Sequence, residues 1–280
     1  MRLVTLRGAS GTRVGRLDGD RVVELDAPDV GALLSAGPAA LEPARHASGP
    51  VHDAATVDLA PVVPRPGKVI CLGLNYESHI RETGRDLPEH PTLFAKFADS
   101  LTGPRDPIVL PQVSEKVDWE AELAFVVGAE ARHVDGAEAE AAIAGFTVLN
   151  DVSMRDWQYR TLQWLQGKAF ERSTPLGPAL VSPDEVDGAR DLEIRCVVDG
   201  EVMQRSRTSD LVFSPADIVA YISRFITLRP GDVIATGTPG GVGAFRTPPV
   251  FLQPGQELRT IIEGVGELVN EVIKEEGETP

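Results

Sequence analysis

The chain is short of cysteine, of lysine and of long apolar runs, and each shortage removes a class of protein. Two cysteines in 280 residues, Cys71 and Cys196, cannot build a disulfide framework, and so low a count suits a reducing cytosol. Cys71 sits among Val69, Ile70 and Leu72, which fits a buried, inert thiol better than a nucleophile. No stretch approaches the roughly 20 apolar residues of a membrane span. Met1 to Arg7 lacks the apolar run of a signal peptide. Positive charge is also scarce. A net charge of −15 repels a phosphate backbone, so nucleic acid is not an expected partner. The expectation is a soluble cytoplasmic protein with no membrane partner. An anionic substrate would need a local basic pocket set against the global field. Basic residues are mostly arginine, and lysine occurs only at Lys68, Lys96, Lys116, Lys168 and Lys274. In such a background each lysine gains interest, although Lys116 and Lys274 read as chance.

At this length the chain can bury a substantial core as one large domain, or as a small domain plus a larger one. Arg13 to Leu17 and Arg21 to Leu25 flank Asp18-Gly19-Asp20, which reads as strand, hairpin turn, strand. Residues 36 to 55 have no strong period, and Leu59 to Pro66 is a proline-rich linker. The expected division is a small β-rich unit over 1–65 and a catalytic unit over 66–280. Val69 to Gly73 reads as a buried strand, and Leu123 to Val127 and Gly145 to Leu149 as further strands. Ser153 is the expected cap of a helix that carries Trp157, Leu162, Trp164 and Leu165 and stops at Gly167. A second helix has a Ser214 cap, Pro215 in its first turn and Asp217 at the third position. Its expected apolar face is Ile218, Tyr221, Ile222 and Phe225. Strands outnumber helices without alternating with them, so the fold class is α+β with a large mixed sheet.

The chemistry concentrates in acids. Side chains alternate faces along a strand, so Glu120 and Glu122 share a face in Asp118-Trp119-Glu120-Ala121-Glu122-Leu123. Two carboxylates on a half-buried face repel each other and are costly to desolvate, unless a cation sits between them. A hard divalent ion is the simple answer; acids facing solvent or pairing with arginines are the alternative, about equally weighted from this motif alone. Asp151 ends an apolar run and offers a third ligand. His79 and Glu82 share a helical face in the polar stretch 76–92, a lid or binding loop by its length. A carboxylate beside an imidazole suits activation of water, although an isolated pair of this spacing is more often merely solvated. Arg155, Gln158 and Lys168 could bind a carboxylate and carbonyl oxygens, or form a polar helix face. Thr236 to Gly243 is glycine-rich without being a Walker loop; its backbone N–H groups could meet an anion, or it could be a plain turn.

Six pieces occur in order: Asn75-Tyr76-x-x-His79-x-x-Glu82, Phe94-x-Lys96, Asp118-Trp119-Glu120-Ala121-Glu122-Leu123, Asn150 to Asp156, Gly167-Lys168-Ala169-Phe170 and Thr236 to Gly243. Over about residues 66–274 the sequence resembles the fumarylacetoacetate hydrolase superfamily, with a stretch before it like the small extra domain of many bacterial members. The resemblance implies a mixed β-sheet roll, a homodimer and Mg²⁺ or Mn²⁺. It assigns Glu120, Glu122 and Asp151 to the metal and His79 with Glu82 to water activation on a closing lid. It gives Lys168 the stabilisation of developing negative charge, and Arg155, Gln158 and Thr238 the contacts to substrate. Met154 stands where many members have alanine. The implied activity is hydrolysis of a carbon–carbon bond in an acylpyruvate-type diketo acid, a small keto-acid substrate. Decarboxylation of oxaloacetate or isomerisation of a hydroxy-dienoate would use the same constellation. An inactive metal-binding scaffold is the alternative of another class.

Overall fold

The computed structural model describes residues 1–275, apart from positions 83 and 85 and the side chain of Glu82. Its main feature is a sheet of eleven strands. Ten follow in the order Val51–Asp53, Arg21–Leu25, Gly11–Asp18, Arg2–Gly8, Thr174–Val181, Ile143–Asn150, Ala121–Val127, Val233–Ala235, Val69–Gly73 and Thr92–Lys96. Leu101–Thr102 pairs beside Thr174–Val181 in parallel, and Val233–Ala235 runs parallel to Val69–Gly73. The remaining ladders of this sheet are antiparallel, so the sheet is mixed, as the strand-rich pattern implies. A second sheet of five strands orders Glu201–Arg207, Glu193–Val198, Glu257–Ile262, Gly266–Lys274 and Ile108–Leu110.

The strand Ala121–Val127 is buried at all seven positions, on both faces. The sequence pattern suggests a half-buried face at Glu120 and Glu122; the strand is buried throughout because the sheet is covered on each side. Ala121, Leu123, Phe125 and Val127 join one apolar cluster with Trp119, Phe146 and Ile218. Ala124 and Val126 join a second with Leu3, Val14, Val30, Leu34, Val62 and Val63. The first 65 residues thus supply one of the two layers over the central strand. The hairpin falls where the Asp18-Gly19-Asp20 turn puts it, with Asp18 opposite Arg21. The aperiodic stretch 36–55 holds a short helix, Pro38–Ala44, and another, Val30–Ser35 capped by Asp29, precedes it.

Two helical expectations meet different outcomes. Pro215–Ser223 carries the full capping box of Ser214 and Asp217. Its buried face is Ile218, Val219, Ile222 and Ser223, with Phe225 left 59% exposed beyond the last turn. Ser153, by contrast, caps no helix. It pairs with Asp118 in a two-stranded ladder, and its Oγ donates to the Asp151 carbonyl at 2.8 Å. The single helix expected from 153 to 167 is two short ones, Arg155–Gln158 and Leu165–Lys168. Between them residues 159–164 lie in no helix and leave Leu162 98% exposed. The chain turns back, and Gly167 abuts the Gln158 backbone so closely that a Cβ there would lie 2.3 Å from its nitrogen.

Candidate active site

Strand register brings the acids together. Ala121 pairs with Asn150, so the residues just outside the ladder, Glu120 and Asp151, face each other. The Asp151 N–H donates to the Glu120 carbonyl at 2.8 Å, and the Asn150 Oδ1 accepts from the Glu120 N–H at 3.0 Å. One carboxylate oxygen from each of Glu120, Glu122 and Asp151 lies within 4.8 Å of the others, and all three side chains are buried.

Cations surround two of these acids. Lys168 Nζ donates to Glu120 Oε2 at 2.6 Å and to Asp151 Oδ2 at 2.8 Å. Lys96 Nζ meets Asp151 Oδ1 at 2.5 Å, with neither side chain exposed. Arg155 Nη1 lies 2.6 Å from Glu120 Oε1 and donates to Gln158 Oε1 at 2.9 Å. Burial alone would raise the Asp151 pKa, but Lys168 and Lys96 outweigh it and hold Asp151 below the ordinary carboxylate range. Burial works against the Lys168 ammonium too, yet Asp151 and Glu120 push its pKa above that of a free lysine.

Glu122 is the exception. Its Oε2 accepts the Gly237 N–H at 2.9 Å, while Oε1 is buried without a hydrogen-bond partner among the described residues. Burial, then Asp151 and Glu120, push its pKa well above the ordinary value. An orphaned carboxylate oxygen beside two further acids is what a bound cation would relieve. The donor set is all hard oxygen, which fits a divalent ion of the magnesium class. Gly237, at φ 97°, turns the chain so that its N–H reaches Glu122.

In front of the acids lies a cleft of about 130 Å³. Glu120, Arg155, Gln158, Lys168, Thr238 and His79 all line it. His79 rides on the helix Glu77–Glu82, whose start is held by Asp210 Oδ2, 2.6 Å from Ser78 Oγ. The expected pairing of His79 with Glu82 lies outside the described residues, because it rests on the Glu82 side chain. Thr238 Oγ1 is committed to the scaffold: it donates to the Ala121 carbonyl at 2.9 Å and accepts from Gln204 Nε2 at 2.8 Å. Phe94 and Trp164 pack edge to face at 5.5 Å and form an apolar wall.

Apart from Glu82, whose side chain is outside the described residues, the site residues read from the sequence converge, with Glu122 and Asp151 behind the cleft. Two charged neighbours had been given no role. Lys96 had only its motif, and the signal was a lysine in an arginine-rich chain at the end of an apolar strand. Asp118 is fully buried and accepts from Arg155 Nε at 2.8 Å; its sign in the sequence is its place at the head of the Asp118-Trp119-Glu120 motif.

The family model for the C-terminal region of fumarylacetoacetate (FAA) hydrolase matches residues 68–273. The chain belongs to this family. The human mitochondrial protein named oxaloacetate tautomerase FAHD2A is 48% identical over 246 residues, which cover 86% of this chain and 78% of that one. The solved 5-carboxymethyl-2-hydroxymuconate delta-isomerase of Mycobacterium smegmatis superposes with a TM-score of 0.81 at 34% identity, covering 99% of this chain and all of that one. The solved maleylpyruvate hydrolase of Sphingobium sp. SYK-6 superposes with a TM-score of 0.81 at 30% identity, covering 98% and 100%. Tautomerase, isomerase and hydrolase thus share this fold and family, and the chain is an enzyme of that group. No helix among the described residues is long and apolar enough to cross a membrane.

Proposed function

We propose that the cleft stabilises the enolate of a small 2-oxo acid and that its reaction is the keto–enol interconversion of oxaloacetate. The observation that carries this reading is the pair of cleft cations, Arg155 and Lys168, gathered on Glu120 in a space of about 130 Å³. A four-carbon dicarboxylate suits that size, and the relatives named oxaloacetate tautomerase lend support. Arg155, through the Nη2 that no described residue takes, and Gln158 hold the carboxylate next to the keto group. His79 takes a proton from the carbon beside the keto group, with Glu82 as the partner that the family resemblance gives it. The C–H electron pair becomes the carbon–carbon double bond, and the keto oxygen takes up the negative charge. The Lys168 ammonium, kept charged by its acids, stabilises that oxygen. Protonation of the oxygen completes the enol, and the reverse sequence restores the ketone. Glu120, Glu122 and Asp151 would hold Mg²⁺ or Mn²⁺, which supplies Lewis-acid polarisation of the keto group when bound. A homodimer is the assembly we propose, by the family resemblance.

Hydrolysis of an acylpyruvate is the second reading, favoured by the likeness to maleylpyruvate hydrolase. There His79 takes the proton from water, hydroxide attacks the distal carbonyl, and carbon–carbon cleavage releases a carboxylate and the enolate of pyruvate. Oxaloacetate, acetylpyruvate and fumarylpyruvate, assayed in parallel with Mg²⁺, separate the two. Turnover of oxaloacetate alone removes the hydrolase reading; turnover of the acylpyruvates alone removes the tautomerase. In either reaction His79→Ala lowers kcat by about a hundredfold or more, and unchanged activity refutes the proton-transfer role.

A further inference from the structure

Asp118 takes no part in the reaction above, yet four donors converge on it. Its Oδ1 accepts from the Trp119 N–H at 2.8 Å and the Gly243 N–H at 2.7 Å. Its Oδ2 accepts from the Ala244 N–H at 2.9 Å and from Arg155 Nε at 2.8 Å. The side chain is wholly buried. A carboxylate with two oxygens has room for four such bonds, so its acceptor capacity is filled.

The four bonds tie together two walls of the cleft. With Nε fixed on Asp118 and Nη1 on Glu120, the guanidinium plane of Arg155 has one orientation. Its Nη2 is buried without a partner among the described residues and is the donor left for a ligand. On the other side Asp118 pins the turn at Gly243 and Ala244. A Cβ at Gly243 would lie 1.9 Å from the Val250 carbonyl and 2.8 Å from Asp118 Oδ1, so the clamp requires glycine there. Val242 and Phe245, which flank the pinned turn, line the cleft, and the Phe245 ring lies 6.2 Å from the His79 ring.

We propose that Asp118 is a positioning residue, which aims Arg155 at the substrate carboxylate and sets the 242–245 turn against His79. This rests on the reading of Arg155 as the carboxylate anchor. Asp118→Asn is the informative change. Asparagine keeps one acceptor for Trp119 and Gly243 but turns an amide donor toward Arg155 Nε and Ala244 N–H. Binding of oxalate to the Mg²⁺-loaded full chain, measured by calorimetry, needs no turnover and so is independent of which reaction the enzyme runs. Asp118→Asn is expected to weaken oxalate by about ten- to a hundredfold, the cost of an unpaired buried donor, while Mg²⁺ affinity in the absence of oxalate stays within about twofold. Arg155→Met weakens oxalate similarly, and the double variant is no weaker than Arg155→Met alone, because the two residues act as one unit. Multiplicative losses, or a parallel loss of Mg²⁺ affinity, overturn the positioning role and leave the anchor standing. Unchanged oxalate binding in Arg155→Met overturns the anchor and the proposal together. If Asp118→Asn does not fold, Gly243→Ala loosens the clamp from its other side with the carboxylate intact. Oxalate affinity unchanged in that variant also overturns the proposal.

Discussion

Lys96→Met tests the charge balance behind the cleft. Lysine and methionine have similar length and volume, so the change opens little cavity. What it removes is the ammonium 2.5 Å from Asp151, in a pair with no exposed surface on either side. Breaking a buried ion pair from one side costs about 3–5 kcal/mol, because the other charge stays buried. Asp151 retains Lys168 at 2.8 Å, which places the expected loss at the low end, about 3 kcal/mol. For a chain of this size that is a fall of roughly 6–12 °C in melting temperature. Urea or thermal unfolding of the metal-free protein measures it. Lys116→Met, at an exposed lysine, is the control and should stay within about 0.5 kcal/mol of the parent. Adding Asp151→Asn to Lys96→Met should return about 1 kcal/mol or more, since the uncompensated charge is gone. A loss below about 1 kcal/mol in Lys96→Met, or a further loss on adding Asp151→Asn, would refute the reasoning.

Two further outcomes follow from local geometry. Asp106 accepts from Arg7 Nη2 at 2.7 Å, Gly103 N–H at 2.7 Å and Thr102 Oγ1 at 2.9 Å. Burial would raise its pKa, but these donors win and lower it. A depressed folded-state pKa stabilises the protein above the ordinary carboxylate value of about 3.9 and is lost as pH falls through the lower value. Asp106→Asn should therefore cost about 1–2 kcal/mol at neutral pH, with the gap closing in acid; a gap that does not change with pH rules out the charge as its source. Gly167→Ala forces apart the turns bearing Gln158 and Lys168, with a Cβ 2.3 Å from the Gln158 nitrogen. About 1–3 kcal/mol of stability should go and KM should rise; wild-type KM and stability would show the contact to be slack.

Much of the site was readable because its signals are local. Period-two alternation put Glu120 and Glu122 together, and ordered motifs supplied Asp151, Lys168 and Arg155. The Ser214–Asp217 box named a helix start because capping chemistry lies within four residues. The failures are places where tertiary contact decides. Ser153 has the composition of a cap, but the ladder with Asp118 claims its backbone. The strand of Glu122 shows no alternation of burial, because a second layer comes from residues far away in sequence. Lys96 and Asp118 are single charges whose partners lie 55 and 37 positions away. No local pattern can point across such distances.

That second layer has a consequence for trimming the protein. The region matched by the family model begins at residue 68, so an excised fragment would keep every acid, lysine and arginine of the site. It would also lose Leu3, Val14, Val30, Leu34, Val62 and Val63, and with them the cover over Ala124, Val126, Leu149 and Val233. Water would then wet the strand on the side to which Glu122, Ala124 and Val126 point. The bare Leu180–Val181 end of its sheet would offer unpaired amides to any passing strand. The leading segment acts as insulation: it lines no part of the cleft, yet it keeps the strand of Glu122 in a dry, low-dielectric surround. The expected behaviour of the excised fragment is aggregation, not a smaller active enzyme.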